Sequence, residues 1–146
     1  MKLAFDSKWV AFRRDLHRHP ELSFQEKRTA ERIESALDEL GIGHRRVAGT
    51  GVLAEIPSAG RRLDGPLVAL RADIDALPIQ EETELEYASV ENGVMHACGH
   101  DGHTTMVLAA AELLSRDEAL PVPVRLVFQP AEEKGLGALA MIEAGA

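Results

Sequence analysis

One cysteine, Cys98, stands among the 146 residues. It cannot close an intramolecular disulfide, so no disulfide framework holds this fold. No apolar run approaches the roughly 20 residues that span a bilayer. The N-terminus, Met1-Lys2-Leu3-Ala4-Phe5-Asp6, runs straight into charged residues and lacks the apolar core of a signal peptide. The expected compartment is the cytosol. Positive charge is also short: 16 Lys and Arg face 24 Asp and Glu, a net charge of −8. Such a surface repels nucleic acid and anionic lipid at long range, so neither is an expected partner. Internal repeats and low-complexity tracts are missing too. What remains is ordinary globular composition, 45% apolar and 27% charged. A chain of this length can bury roughly two-thirds of its unfolded surface, enough for one domain with a real core.

The apolar spacing predicts an α/β order. Trp9, Phe12 and Leu16 recur at helical spacing, with Asp6 or Ser7 as cap and Pro20 as stop. Ser23-Phe24-Gln25-Glu26 reads as a capping box for a second helix carrying Ala30, Ile33, Leu37 and Leu40, closed by Gly41. Val52, Ala54 and Ile56 then alternate as a strand before Pro57, and Ser58 to Gly65 forms a polar turn region. Leu67 to Leu70 suits a buried strand, and residues 79 to 93 read as loop. Val107, Ala110, Ala111 and Leu114 mark a helix that Asp101 or Thr104 could cap. Val124 to Phe128 is a second buried strand, and Gly135 to Ala144 a last helix. Helices alternating with strands imply a parallel or mixed sheet. An open α/β sheet carries more strands than can be counted here, so the sequence reads as part of a longer protein.

Three stretches carry chemistry. Met95 to His103 holds three histidines, the cysteine and an aspartate in nine residues. Cys98 and His100, two apart in loop or extended backbone, point to one side and can reach one cation. Thiolate and imidazole suit zinc and other late first-row ions. The helix that follows would favour the Cys98 thiolate through its N-terminal N–H groups. Its dipole also opposes a bare cation, so a metal there needs anionic ligands. The alternative is a capping loop with a buried cysteine and exposed histidines. Glu132 and Glu133 follow the strand ending at Phe128, where open α/β sheets bind ligands. Adjacent side chains diverge, so one can ligate a metal and the other deprotonate water; the alternative is a solvated helix start. Asp73 and Asp75 lie just past another strand, as ligands, as partners orienting an imidazole, or as turn formers.

At these stretches the sequence resembles the M20 family of metal-dependent peptidases and amidohydrolases, above all the branch of hippurate hydrolases, N-acyl-amino-acid amidohydrolases and auxin-conjugate hydrolases. The matching segments are Leu16 to Phe24, Arg71 to Pro78, His96 to His103 and Phe128 to Glu133. The resemblance implies the N-terminal portion of a zinc-peptidase-like, three-layer α/β/α catalytic domain over residues 1–146, with the lid or dimerisation domain absent. It implies Cys98, His100 and Glu133 as metal ligands, Glu132 as general base, and Asp75 as a catalytic acidic residue supporting the site. His96, Asp101 and His103 take supporting roles, and His17 and His19 structural ones. Where other branches carry a ligand histidine two places before the aspartate, this chain has Asp73. The implied cofactors are two divalent ions, Zn, Mn, Co or Ni. The implied substrate is a small N-acylated amino acid, and the full-length form would be a homo-oligomer. The missing half of the ligand set leaves a second reading open, a non-catalytic metal-binding or interaction module.

Overall fold

The computed structural model describes residues 7–58, 65–117 and 119–146. The first helix, α1 (Ser7–Arg18), buries Trp9, Phe12 and Leu16 on one face, as the spacing predicts. Trp9 Nε1 donates to Glu112 Oε2 at 2.7 Å, which satisfies the indole inside the core. Asp6, one candidate cap, lies outside the described residues, and Ser7 is already helical.

The second helix, α2 (Lys27–Glu39), buries Ala30, Ile33 and Leu37 and ends at Gly41, whose φ of 67° suits a residue without Cβ. Its start differs from the expected capping box. Glu26 holds the N-cap position, but its side chain makes no capping hydrogen bond. The Glu21 carboxylate caps instead, accepting from Arg28 N at 3.1 Å and Thr29 N at 2.7 Å. Phe24, at φ 64°, turns the chain between them. Ser23 and Glu26 are then free to reach partners distant in sequence.

Four strands follow among the described residues: β1 (His44–Val47), β2 (Gly51–Ile56), β3 (Val68–Asp73) and β4 (Val124–Gln129). The sheet order is β1-β2-β4-β3. β1 pairs with β2 and β2 with β4 antiparallel, while β3 and β4 run parallel. The sheet is therefore mixed. β1 is the strand that the sequence pattern does not announce. The 58-to-65 turn lies largely outside the described residues. Between β3 and β4, α3 (His100–Leu114) supplies the crossover that a parallel pair requires. Its cap is Gly99 at φ 86°, not Asp101 or Thr104, and both of those are buried inside the helix. Its buried stripe is Thr104, Thr105, Leu108 and Ala111, rotated from the expected stripe because two threonines take core positions. The last helix, α4 (Gly137–Glu143), is shorter than Gly135 to Ala144, since Gly135 adopts φ 66° in the turn before it.

Alternation along the strands makes two cores. Val52, Ala54, Leu126 and Phe128 pack against α1, α2 and α3 on one face. Leu53 and Val127 face the other way, with Val47, and meet Met141 of α4. The result is the expected three-layer α/β/α arrangement. β3 and β4 end side by side at Asp73 and Gln129, which delivers their following loops to one place. No helix among the described residues is long and apolar enough to cross a membrane.

The seat of α4 depends on Gly137. A Cβ built there would lie 1.5 Å from the Pro130 carbonyl oxygen. Gly137→Ala should therefore destabilise the chain by about 3 kcal/mol or more, the upper end of overpacking costs. Urea denaturation reads this directly; an unchanged midpoint would mean that α4 does not dock on the Pro130 loop.

Candidate metal centre

Three loops meet where the parallel pair ends. The first is Ile74–Leu77, after β3. It is held on one side by Leu22, through Ala76 N–H donating to Glu21 O at 2.8 Å. On the other side Leu77 and Met95 exchange two backbone hydrogen bonds of 3.0 Å. The second loop, 95–99, thereby brings Cys98 and His100 to the same edge. The third, 130–136, follows β4 and carries Glu132 and Glu133.

One ligand atom each from Cys98, His100 and Glu133 lies within 4.8 Å of the others. His100 is buried, Glu133 half-buried and Cys98 exposed. His100 Nδ1 sits 2.9 Å from the Asp75 carbonyl oxygen. A carbonyl can only accept, so Nδ1 carries a proton in either charge state, and Nε2 is the nitrogen whose lone pair is freed when the ring gives up its second proton. Nε2 looks out between Glu132 Oε2 at 3.8 Å and Glu133 Oε1 at 3.9 Å. Asp75 Oδ2 accepts from Ser23 Oγ at 2.7 Å and from Glu133 N–H at 3.1 Å. Asp73 turns its carboxylate to Arg71, whose Nη2 donates to Oδ1 at 2.7 Å. His103 is exposed, its ring 5.7 Å from that of His100.

The electrostatics suit a cation. Glu133 Oε1 is buried without a hydrogen-bond partner, a costly state unless a cation meets it. Cys98 departs from the expected thiolate. The neighbouring Glu133 carboxylate pushes its thiol above the ordinary range, outweighing any help from the α3 N-terminus. Asp75 pushes His100 up to about 9. Two carboxylates and a thiol surround Nε2, and a divalent ion that displaced its proton would meet all of them together. The donor set of sulfur, imidazole and carboxylate is one that zinc and its neighbours accept.

Behind the centre lies a second polar group. His17, buried on α1, places Nδ1 at 2.9 Å from Asp101 Oδ2 and Nε2 at 3.2 Å from Glu81 Oε1. Both neighbours accept, and the Asp101 hydrogen bond above all raises the His17 pKa. His17 thus ties α1 to the first turn of α3. His19 donates locally to Asp15 O at 3.0 Å. His96 is buried, and desolvation drops its pKa to about 4, so it is neutral.

The family model for peptidase family M20/M25/M40 matches residues 69–146. The chain belongs to that family. It is 52% identical over 145 residues to the N-acetylcysteine deacetylase of Bacillus subtilis (strain 168), covering 97% of this chain and 37% of that protein. It is 49% identical over 140 residues to the N-acyl-L-amino acid amidohydrolase of Geobacillus stearothermophilus, covering 93% and 37%. Among solved structures, the Bacillus subtilis YXEP protein, a dinuclear metal binding peptidase from the M20 family, superposes with a TM-score of 0.90 at 51% identity. That match covers 99% of this chain and 40% of the other. The chain thus spans about a third of the length of the curated relatives it matches.

Of the residues singled out in this M20 sequence, Cys98, His100, Glu132, Glu133 and Asp75 converge. Sequence reasoning missed Ser23 as a partner of Asp75, because its spacing to Glu26 imitates a helix cap.

The raised His100 pKa fixes a pH dependence. In the metal-free chain the stability it contributes is fully present below pH 6.5 and is lost as pH rises through about 9. His17 and Cys98, also raised, act in the same direction. The melting temperature of the chelated chain should therefore fall between pH 6.5 and 9. Ligation needs a neutral imidazole and a thiolate, so metal affinity should climb over the same window. A melting temperature that rises with pH there would contradict the assigned His100–Asp75 interaction.

Proposed function

We propose that the protein containing this chain is a metal-dependent amidohydrolase that cleaves the amide bond of small N-acyl amino acids. Residues 1–146 would form the N-terminal part of its catalytic domain. The observation that carries the reading is the convergence of Cys98, His100 and Glu133 within 4.8 Å, beside the second carboxylate of Glu132. The relatives named for N-acetylcysteine and N-acyl-L-amino acids support this substrate class.

Cys98, His100 and Glu133 would contribute to holding two divalent ions, which when bound would lower the pKa of a water and polarise the acyl carbonyl. Zn, Mn, Co and Ni all suit these donors. Glu132 is the free carboxylate of the pair. Its side chain is 40% exposed, against 19% for Glu133, so it can reach both water and substrate. It takes a proton from the attacking water as the oxygen–carbon bond forms. It then returns that proton to the leaving nitrogen as the carbon–nitrogen bond breaks, releasing the acid and the free amino acid. Asp75 does not touch the substrate in this scheme. It fixes the His100 tautomer and the Glu133 backbone.

Glu132→Gln in the intact enzyme should lower kcat by roughly 10²–10⁴-fold with little change in KM. A near-normal kcat on an N-acyl amino acid would refute the role given to Glu132. Cys98→Ser should lower the bound metal measured by elemental analysis, and an unchanged content would remove Cys98 from the ligand set.

A further inference from the structure

We infer that Glu26 is a positioning residue for the metal centre: it holds the Ala131 backbone in the conformation that aims Glu132 and Glu133 at His100. The inference deepens the amidohydrolase reading and rests on it for the purpose of the loop.

Glu26 is fully buried, yet its side chain does not cap α2 and has no Lys or Arg partner among the described residues. Burying a carboxylate in this way is costly, so each oxygen must find a donor. Oε2 accepts from Thr50 Oγ1 at 2.6 Å, in the turn between β1 and β2. Oε1 accepts from Ala131 N–H at 2.9 Å, across 105 positions of sequence. Ala131 is itself fully buried and adopts φ 50°, the left-handed region that a residue with Cβ enters only when held there. Its carbonyl is held too, accepting from Gly137 N at 3.2 Å.

The residue after this strained one is Glu132. Without an acceptor, the Ala131 N–H would be orphaned in the core. Relaxing its φ to the right-handed side would swing the following peptides and move both carboxylates away from His100 Nε2. Ser23, three positions before Glu26, holds Asp75 in a comparable way. The segment between α1 and α2 therefore braces two loops of the site from below. What resembles a capping box is three long-range hydrogen bonds.

The test separates reach from charge. Glu26→Asp keeps the charge but is one methylene too short to span Thr50 and Ala131. Glu26→Gln loses the charge but keeps an acceptor for Ala131 N–H and a donor for Thr50 Oγ1. Two readouts are taken on the chain: NMR hydrogen exchange of the Ala131 amide, and Co²⁺ titration followed by the sulfur-to-cobalt charge-transfer band. Glu26→Asp should speed Ala131 exchange and weaken Co²⁺ binding by about 10–100-fold, the usual loss when a group supporting a ligand is removed. Glu26→Gln should stay close to the parent chain in both. Parent-like behaviour of Glu26→Asp overturns the inference. So does equal damage in both variants, which would mean that charge matters rather than reach. So does faster exchange with unchanged Co²⁺ binding, which would detach the brace from the metal. Should Glu26→Asp not fold, Glu26→Gln decides: retained protection and band support the brace, and their loss overturns it. If the parent chain gives no charge-transfer band, the metal reading fails, while Ala131 exchange still reports on Glu26.

Discussion

The site depends on the two-sided use of Asp75. This residue is 1% exposed and stands just past β3. Its carboxylate takes the Ser23 hydroxyl and the Glu133 amide, and its carbonyl takes the His100 imidazole. Three segments far apart in sequence are thereby registered against one backbone position. Burial alone would lift the Asp75 pKa, but the His100 ring, 3.4 Å from its carboxylate, and the hydrogen bonds from Ser23 and Glu133 bring it below the ordinary value. It therefore stays ionised, and the arrangement is self-consistent: the charge that stabilises the donors is stabilised by them.

The surrounding charges follow from the same logic. Among the described residues, His100 is the basic group that reaches Glu132, Glu133 and Asp75 together. In the metal-free state it must be a cation to balance them, which is why its pKa rises. A divalent ion bound there would exchange that proton for a larger charge. His17 repeats the theme one layer deeper, holding Asp101 and Glu81 apart from the centre while fixing the start of α3. The polar groups thus form two tiers, and only the outer one faces solvent.

Much of this was legible in the residues, for physical reasons. Trp9, Phe12 and Leu16 keep helical spacing because one face of α1 is buried and the other is wet. Val124 to Phe128 announces itself because β4 lies inside the sheet. Cys98, His100 and the acidic pair stood out because those side chains are rarely grouped without chemistry. β1 stayed hidden because His44, Arg45 and Arg46 carry no apolar alternation; it lies at an edge, covered on few sides. The α3 stripe was misplaced because Thr104 and Thr105 bury hydroxyls that bond to Asp73 O and Asp101 O. Ser23 and Glu26 were misread because a local pattern has a local explanation, while their true partners lie 52 and 105 positions away. Single-residue spacing carries no trace of such distances.

The length of the Glu26–Ala131 link has a consequence for biosynthesis. A ribosome adding roughly 5–20 residues per second makes Glu26 about 5–20 s before Ala131 exists. Throughout that interval the nascent segment carries an acid destined for a dry interior, with its docking amide still untranslated. It must stay hydrated, so the helices made first cannot seal against one another until β4 emerges. Completion of the loop that carries Glu132 and Glu133 and closure of the helical layer are then a single late event in the making of this segment.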